Sequence, residues 1–130
     1  MNNINWDTIE YFTEDEFTCQ CGCNCCNVSL PFLNKLVEAR KIAGIPFNIS
    51  SGCRCKKHNA SKEVGGEEDS LHISSTLREC EAADIECNTD RKRGIILRAL
   101  FESGLSHIGI NFKQSFIHTD SDSRIAVWTY

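Results

Sequence analysis

The sequence predicts an α+β domain in which helices pack on a small, mainly antiparallel sheet. Three observations predict it. Leu30 to Ala43 carries apolar residues at helical spacing, a second helical stripe follows Thr89, and short alternating runs lie before, between and after the two helices. The chain of 130 residues has the usual size of one domain, so 1–130 reads as a single unit that includes the N-terminal helix and Cys-rich loop of 1–29.

The elements follow in order. Thr13-Glu14-Asp15-Glu16 fits a capping box, with Thr13 as N-cap and Glu16 three residues on, so a short helix should run toward Phe17. The stretch CQCGCNCC from Cys19 to Cys26 is too polar and irregular for a helix or strand and reads as a loop. In the helix from Leu30 to Ala43, Leu33, Leu36, Val37 and Ile42 share a face, Pro31 suits the first turn and Gly44 ends it. Pro46 to Ser50 alternates like a strand. Ser51 to Leu71, rich in Gly, Ser, Lys and Glu, reads as a long loop of the kind that carries function. Ala82 to Glu86 reads as a short central strand. Thr89 or Asp90 caps a second helix to about Ser103, with Ile95, Ile96, Ala99 and Leu100 inward and Gly104 as its stop. Strand candidates follow at His107 to Ile110, Ser115 to Asp120 and Arg124 to Trp128.

Composition excludes several function classes. Apolar residues make up 41% and charged residues 25%, as in ordinary globular chains. The net charge of -4 argues against a nucleic-acid partner, which would need a basic face. No apolar run approaches the ~20 residues needed to cross a bilayer, so membrane insertion is not expected. The opening MNNINWDTIE lacks a basic stretch followed by an apolar core. It reads as having no signal peptide, so a cytoplasmic origin is expected, with release or delivery needed for any work outside the cell.

Nine cysteines cannot all pair internally. The group Cys19, Cys21, Cys23, Cys25 and Cys26 has three readings: a structural metal site, disulfides formed outside the cell, or free thiols. The C-x-C spacings are tighter than the C-x₂₋₄-C of ordinary zinc sites. Cys53, Cys55, Cys80 and Cys87 could form a local disulfide or fill the core.

The chain has four histidines: His58, His72, His107 and His118. A hydrolytic zinc needs three protein ligands and one open position, and imidazole and carboxylate are suitable donors. On a strand, alternation sends Phe116, His118 and Asp120 to one face. From spacing alone, metal ligation and satisfied structural histidines both stay open.

Four ordered motifs add to this: SSGCRCKKHNA (Ser50 to Ala60), VGGEEDSLH (Val64 to His72), EAADI (Glu81 to Ile85) and FIHTD (Phe116 to Asp120). Together they resemble the zinc D-Ala-D-Ala carboxypeptidase and L-Ala-D-Glu endopeptidase family, which shares its fold with the hedgehog signalling domain. YFTEDEFTC (Tyr11 to Cys19) is similar to the start of small phage-borne members. The resemblance implies one catalytic Zn2+ held by His72, Asp84 and His118. It further implies substrate contacts from Arg54 and Ser70, and a loop bend at Gly65-Gly66. The implied substrate is a peptide bond in bacterial peptidoglycan, in the stem peptide or cross-link.

The chain departs from the family pattern in three places. His72 and Asp84 are twelve residues apart rather than seven, with Ser74 to Cys80 reading as a loop insertion between two ligands, tolerable if the loop bulges outward. The position three before the last histidine, often a carboxylate base, is Ser115. Asp120 is the nearest substitute as catalytic base, and an orienting role for it is equally open; Glu81 and Asp122 are further candidates. Cys53 replaces the usual aromatic before Arg54. Two other classes therefore stand beside the peptidase: a non-catalytic zinc-containing wall-binding module that has lost its base, and a redox or metal-storage protein built on the cysteines.

Overall fold

The computed structural model describes residues 4–61 and 64–130. Met1 to Asn3, the start of the segment read for a leader, lie outside the described residues, as do Lys62 and Glu63 of the long loop.

A 3-10 turn (Trp6–Thr8) leads into α1 (Glu14–Phe17). Its capping box is present: the Thr13 N–H donates to Glu16 Oε2 at 2.7 Å. The next helix, α2, spans Leu30–Ala43; Ser29 caps it by accepting from the Phe32 N–H, and Gly44 closes it at φ 66. That left-handed value favours glycine, which has no Cβ to clash. The strand expected from Pro46 is shorter and later, at β1 (Ile49–Ser51). The long loop contains one helical turn that the sequence reading missed, α3 (Lys56–Asn59). It has no apolar periodicity to betray it, because it is too short to show a face.

β2 (Ala82–Glu86) and α4 (Asp90–Glu102, capped by Thr89) follow as expected. Then come β3 (His107–Asn111), β4 (Phe116–Asp120) and β5 (Ala126–Thr129). The five strands lie in the order β1-β2-β4-β3-β5. Three pairings are antiparallel and β3–β5 is parallel. The fold is therefore α+β with a mainly antiparallel sheet, as the sequence implied.

One face of the sheet meets the helices. Phe32, Leu33, Leu36 and Ala39 of α2 and Ile96, Ala99 and Leu100 of α4 join Ala83, Ile85, Ile108 and Ile117 in one core, whereas Ile42, expected on the same face as Leu33, lies half a turn round the helix and is exposed. Cys53, Cys80 and Cys87 are buried in that core as free thiols, and all nine cysteines are unpaired. Strand alternation sends Asp84 and His118 to the other face. The inserted segment swings outward, the condition under which the insertion is tolerable: Leu77 is 97% exposed, whereas Ser74 and Cys80 at its ends are buried. Asn27 Nδ2 donates to the Ser75 and Arg78 carbonyls and so holds the base of this loop. Among the described residues no helix is long and apolar enough to cross a membrane.

Candidate metal centre

Asp84 on β2 and His118 on β4 are direct cross-strand partners. His72 arrives from the loop and is anchored on either side, because Arg54 and Ile73 form a bridge and the Arg54 N–H donates to the His72 carbonyl at 2.7 Å. Three atoms then converge. His72 Nε2 is 3.1 Å from Asp84 Oδ1, His118 Nδ1 is 3.0 Å from the same oxygen, and the two ring nitrogens are 3.2 Å apart. All three residues are at least nine-tenths buried.

The far sides of both rings settle what those atoms offer. His72 Nδ1 lies 2.7 Å from the Gly52 carbonyl, and His118 Nε2 lies 2.7 Å from Asp120 Oδ2. A carbonyl and a carboxylate only accept, so each outer nitrogen must carry the proton. In the neutral tautomers the inner nitrogens are lone pairs. Two lone pairs and an anionic oxygen then face one point with no donor among them. Such a buried triangle of acceptors needs a cation at its focus. In a tetrahedral zinc site, ligands about 2.0–2.1 Å from the ion lie roughly 3.3 Å apart, close to the spacing here. The donor set fits zinc.

Without a metal, a proton serves as that cation. Burial works against a charged His118, but its hydrogen bonds to Asp120 and Asp84 outweigh burial and push its pKa up to about 9. Burial likewise opposes the Asp84 carboxylate. The neighbouring His72 and the hydrogen bonds from His118 and His72 overcome it and hold that carboxyl well below its usual range. Asp120 is also held low despite burial, by hydrogen bonds from His118 and His107.

Arg54 sits beside this triangle. Its NH2 meets Asp84 Oδ2 at 3.2 Å, its Nε donates to Ser51 Oγ at 3.0 Å and its NH1 to Asn59 Oδ1 at 3.3 Å. The guanidinium occupies one oxygen of Asp84 and leaves the other for the focus. Arg54, His72, Asp84 and His118 all line one cavity of about 650 Å³, whose wall also includes Gln20, Glu67, Asn111 and Tyr130.

The other residues singled out from the sequence fall elsewhere. Ser70 Oγ accepts from the His72 N–H at 3.2 Å, and Ser70 lines a separate hollow on the Trp128 side of His118. Asp120 has both oxygens engaged, by His118, by His107 Nδ1 at 2.9 Å and by the Asp122 N–H at 2.9 Å. Asp122 is paired with Arg124. Ser115 lies in the β3–β4 turn at φ 56. Gly65 takes φ 59, as the loop bend requires, and Gly66 packs so closely on Asn59 that a Cβ would strike its Oδ1.

Sequence reading missed three contributors. Asn59 braces Arg54 and donates to the Glu67 carbonyl at 2.8 Å. His107 braces Asp120. Trp128 packs at a tilt against both His107 and His118, with ring centres 4.6 and 5.7 Å away. The HN pair in the long loop was the available signal for Asn59; nothing local marked the other two.

A search of curated proteins finds no match to this chain. Residues 10–120 match the family model for Peptidase M15, and the chain belongs to that family.

Proposed function

We propose that the chain is a zinc-dependent peptidase that cleaves a peptide bond in bacterial peptidoglycan, with His72, Asp84 and His118 as the zinc ligands. The observation that carries this reading is the buried triangle of acceptors, with edges of 3.0 to 3.2 Å, on the wall of an open cavity. Membership of the Peptidase M15 family supports peptide hydrolysis as the chemistry.

A bound zinc ion would supply Lewis acidity, polarising a carbonyl and making water a better nucleophile. The protein does the rest. The Gly52 carbonyl and Asp120 lock the two imidazoles in the tautomers that present lone pairs inward. Arg54 restrains Asp84 to one inward oxygen and adds a fixed positive charge to the cavity wall, where it can orient a peptide carbonyl or carboxylate. Asp120 acts as a positioning residue, because both its oxygens are already committed away from the cavity.

The test is muropeptide release from purified peptidoglycan by the zinc-loaded chain, beside His118→Ala. We expect the variant to lose this zinc and the release together. Full release by a variant lacking that zinc would overturn the assignment. Zinc retention by the wild-type site with no release from any peptidoglycan would favour the wall-binding module instead, a reading that Ser115 at the usual base position keeps in play.

A further inference from the structure

The N-terminal cysteines form a second cluster, separate from the cavity triangle. The sulfurs of Cys19, Cys21, Cys23 and Cys55 all lie within 4.8 Å of one another. Cys19 and Cys21 are 3.4 Å apart at Sγ, and Cys21 and Cys55 are 3.7 Å apart. These separations are far longer than a disulfide bond of about 2.05 Å. They approach the edge of a thiolate tetrahedron, roughly 3.8 Å when each sulfur is about 2.3 Å from zinc.

The backbone is shaped to gather these sulfurs. Residues 20–23 form a turn in which Gly22 takes φ 88, and the Cys19 N–H donates to the Cys25 carbonyl at 2.8 Å, closing the loop on itself. This curl lets three alternate cysteines face one centre, although C-x-C is tight for an extended chain. The fourth sulfur comes from 36 residues away in sequence. Two backbone donors point at the sulfurs: the Cys55 N–H at Cys19 Sγ and the His58 N–H at Cys55 Sγ, each 3.4 Å. Such donors favour the thiolate form that binds metal. The remaining two cysteines of the run point elsewhere, Cys25 Sγ toward the Ser74 carbonyl and Cys26 Sγ toward the Glu14 carbonyl.

We propose that Cys19, Cys21, Cys23 and Cys55 hold a second zinc ion in a closed tetrathiolate site. Four protein ligands leave no open position, so this ion is structural. Its thiol protons go to solvent on binding. The ion clips the N-terminal loop to the segment that carries Arg54, the residue next to Cys55. The same loop carries Gln20 to the cavity wall, so the clip sets two of its residues.

The experiment uses the full chain purified under reducing conditions, with zinc counted per chain and cobalt(II) substituted for zinc. The expected wild-type content is two zinc ions, falling to one in His118→Ala and to one in the double variant Cys21→Ser/Cys23→Ser. Cobalt-loaded His118→Ala should keep the near-ultraviolet sulfur-to-cobalt charge-transfer bands, and the cysteine variant should lose them. If the cysteine variant does not fold, the cobalt spectrum of His118→Ala decides alone. Absence of those bands from His118→Ala, or recovery of the four cysteines as disulfides, would overturn the proposal. One metal in both wild type and His118→Ala, with the bands present, would uphold the thiolate site while removing the cavity zinc.

Discussion

Asp84 and His118 stand directly opposite each other on β2 and β4, and their side chains meet at 3.0 Å on the face away from the core. The ladder register therefore sets two corners of the acceptor triangle, and only His72 depends on a loop. Replacing Asp84 by Asn keeps the shape and removes the anionic oxygen. We expect Asp84→Asn to lower zinc affinity by more than the 10–100-fold typical of losing an outer partner. Competition with a calibrated chelator reads this, and an unchanged affinity would place the metal elsewhere.

Asp120 offers a contrast. It touches His118 through the outer ring nitrogen, so Asp120→Asn should weaken zinc binding by about 10–100-fold without abolishing it. If Asp120 were instead the proton acceptor in hydrolysis, the variant would lose kcat while zinc affinity stayed constant. Titrating zinc into the variant while following turnover separates the two outcomes.

Arg54 holds three partners at once through its fork: Ser51, Asn59 and Asp84. Lysine keeps the charge but not the geometry. Arg54→Lys should retain zinc and the fold, yet cut kcat/KM for peptide substrate by roughly tenfold or more, equal to about 1.4 kcal/mol in the transition state. Wild-type kinetics in this variant would show that Arg54 is an ion pair without a role in turnover.

Gly66 lies against Asn59, the brace of Arg54. An added methyl must displace that amide, and overpacking of this kind costs about 1–3 kcal/mol. Gly66→Ala should lower stability in urea by that amount; Gly65→Ala should also destabilise, through its positive φ rather than contact. Wild-type stability for Gly66→Ala would mean the loop relaxes freely.

The metal-free protein should respond to pH through His118. Its folded pKa, about 9, lies above the ordinary value of 6.5. The proton therefore stabilises the fold fully below about 6.5, and the contribution disappears as pH rises through about 9. With zinc bound the sign reverses, because the metal replaces that proton and binds more tightly as it leaves. Urea midpoints at pH 6 and 9, with chelator and with zinc, should move in opposite directions. Parallel movement would sink this account.

Helices α2 and α4 and strand β2 were legible in the sequence because their signals are local. Pro31, Gly44 and Thr89 mark the helix ends, and the apolar spacing of Leu33, Leu36, Ile96 and Leu100 recurs every third or fourth residue. α3 was not legible, since one turn has no periodicity. β1 began later than its alternation suggested, because the pairing with β2 starts only at Ile49. The histidines were read as a constellation through four ordered motifs, not through their spacing.

By itself the sequence determined the α+β class, the two long helices, the insertion at Ser74 to Cys80 and the candidate trio His72, Asp84 and His118. Only the tertiary structure decided that Asp120 faces His118 and His107, that Asn59 braces Arg54, and that Cys55 rather than Cys25 or Cys26 joins Cys19, Cys21 and Cys23. The physical reason is range. Caps and periodicity act over a few residues of chain. Hydrogen bonds and sulfur clusters between distant segments depend on strand register and loop closure, which no local pattern encodes.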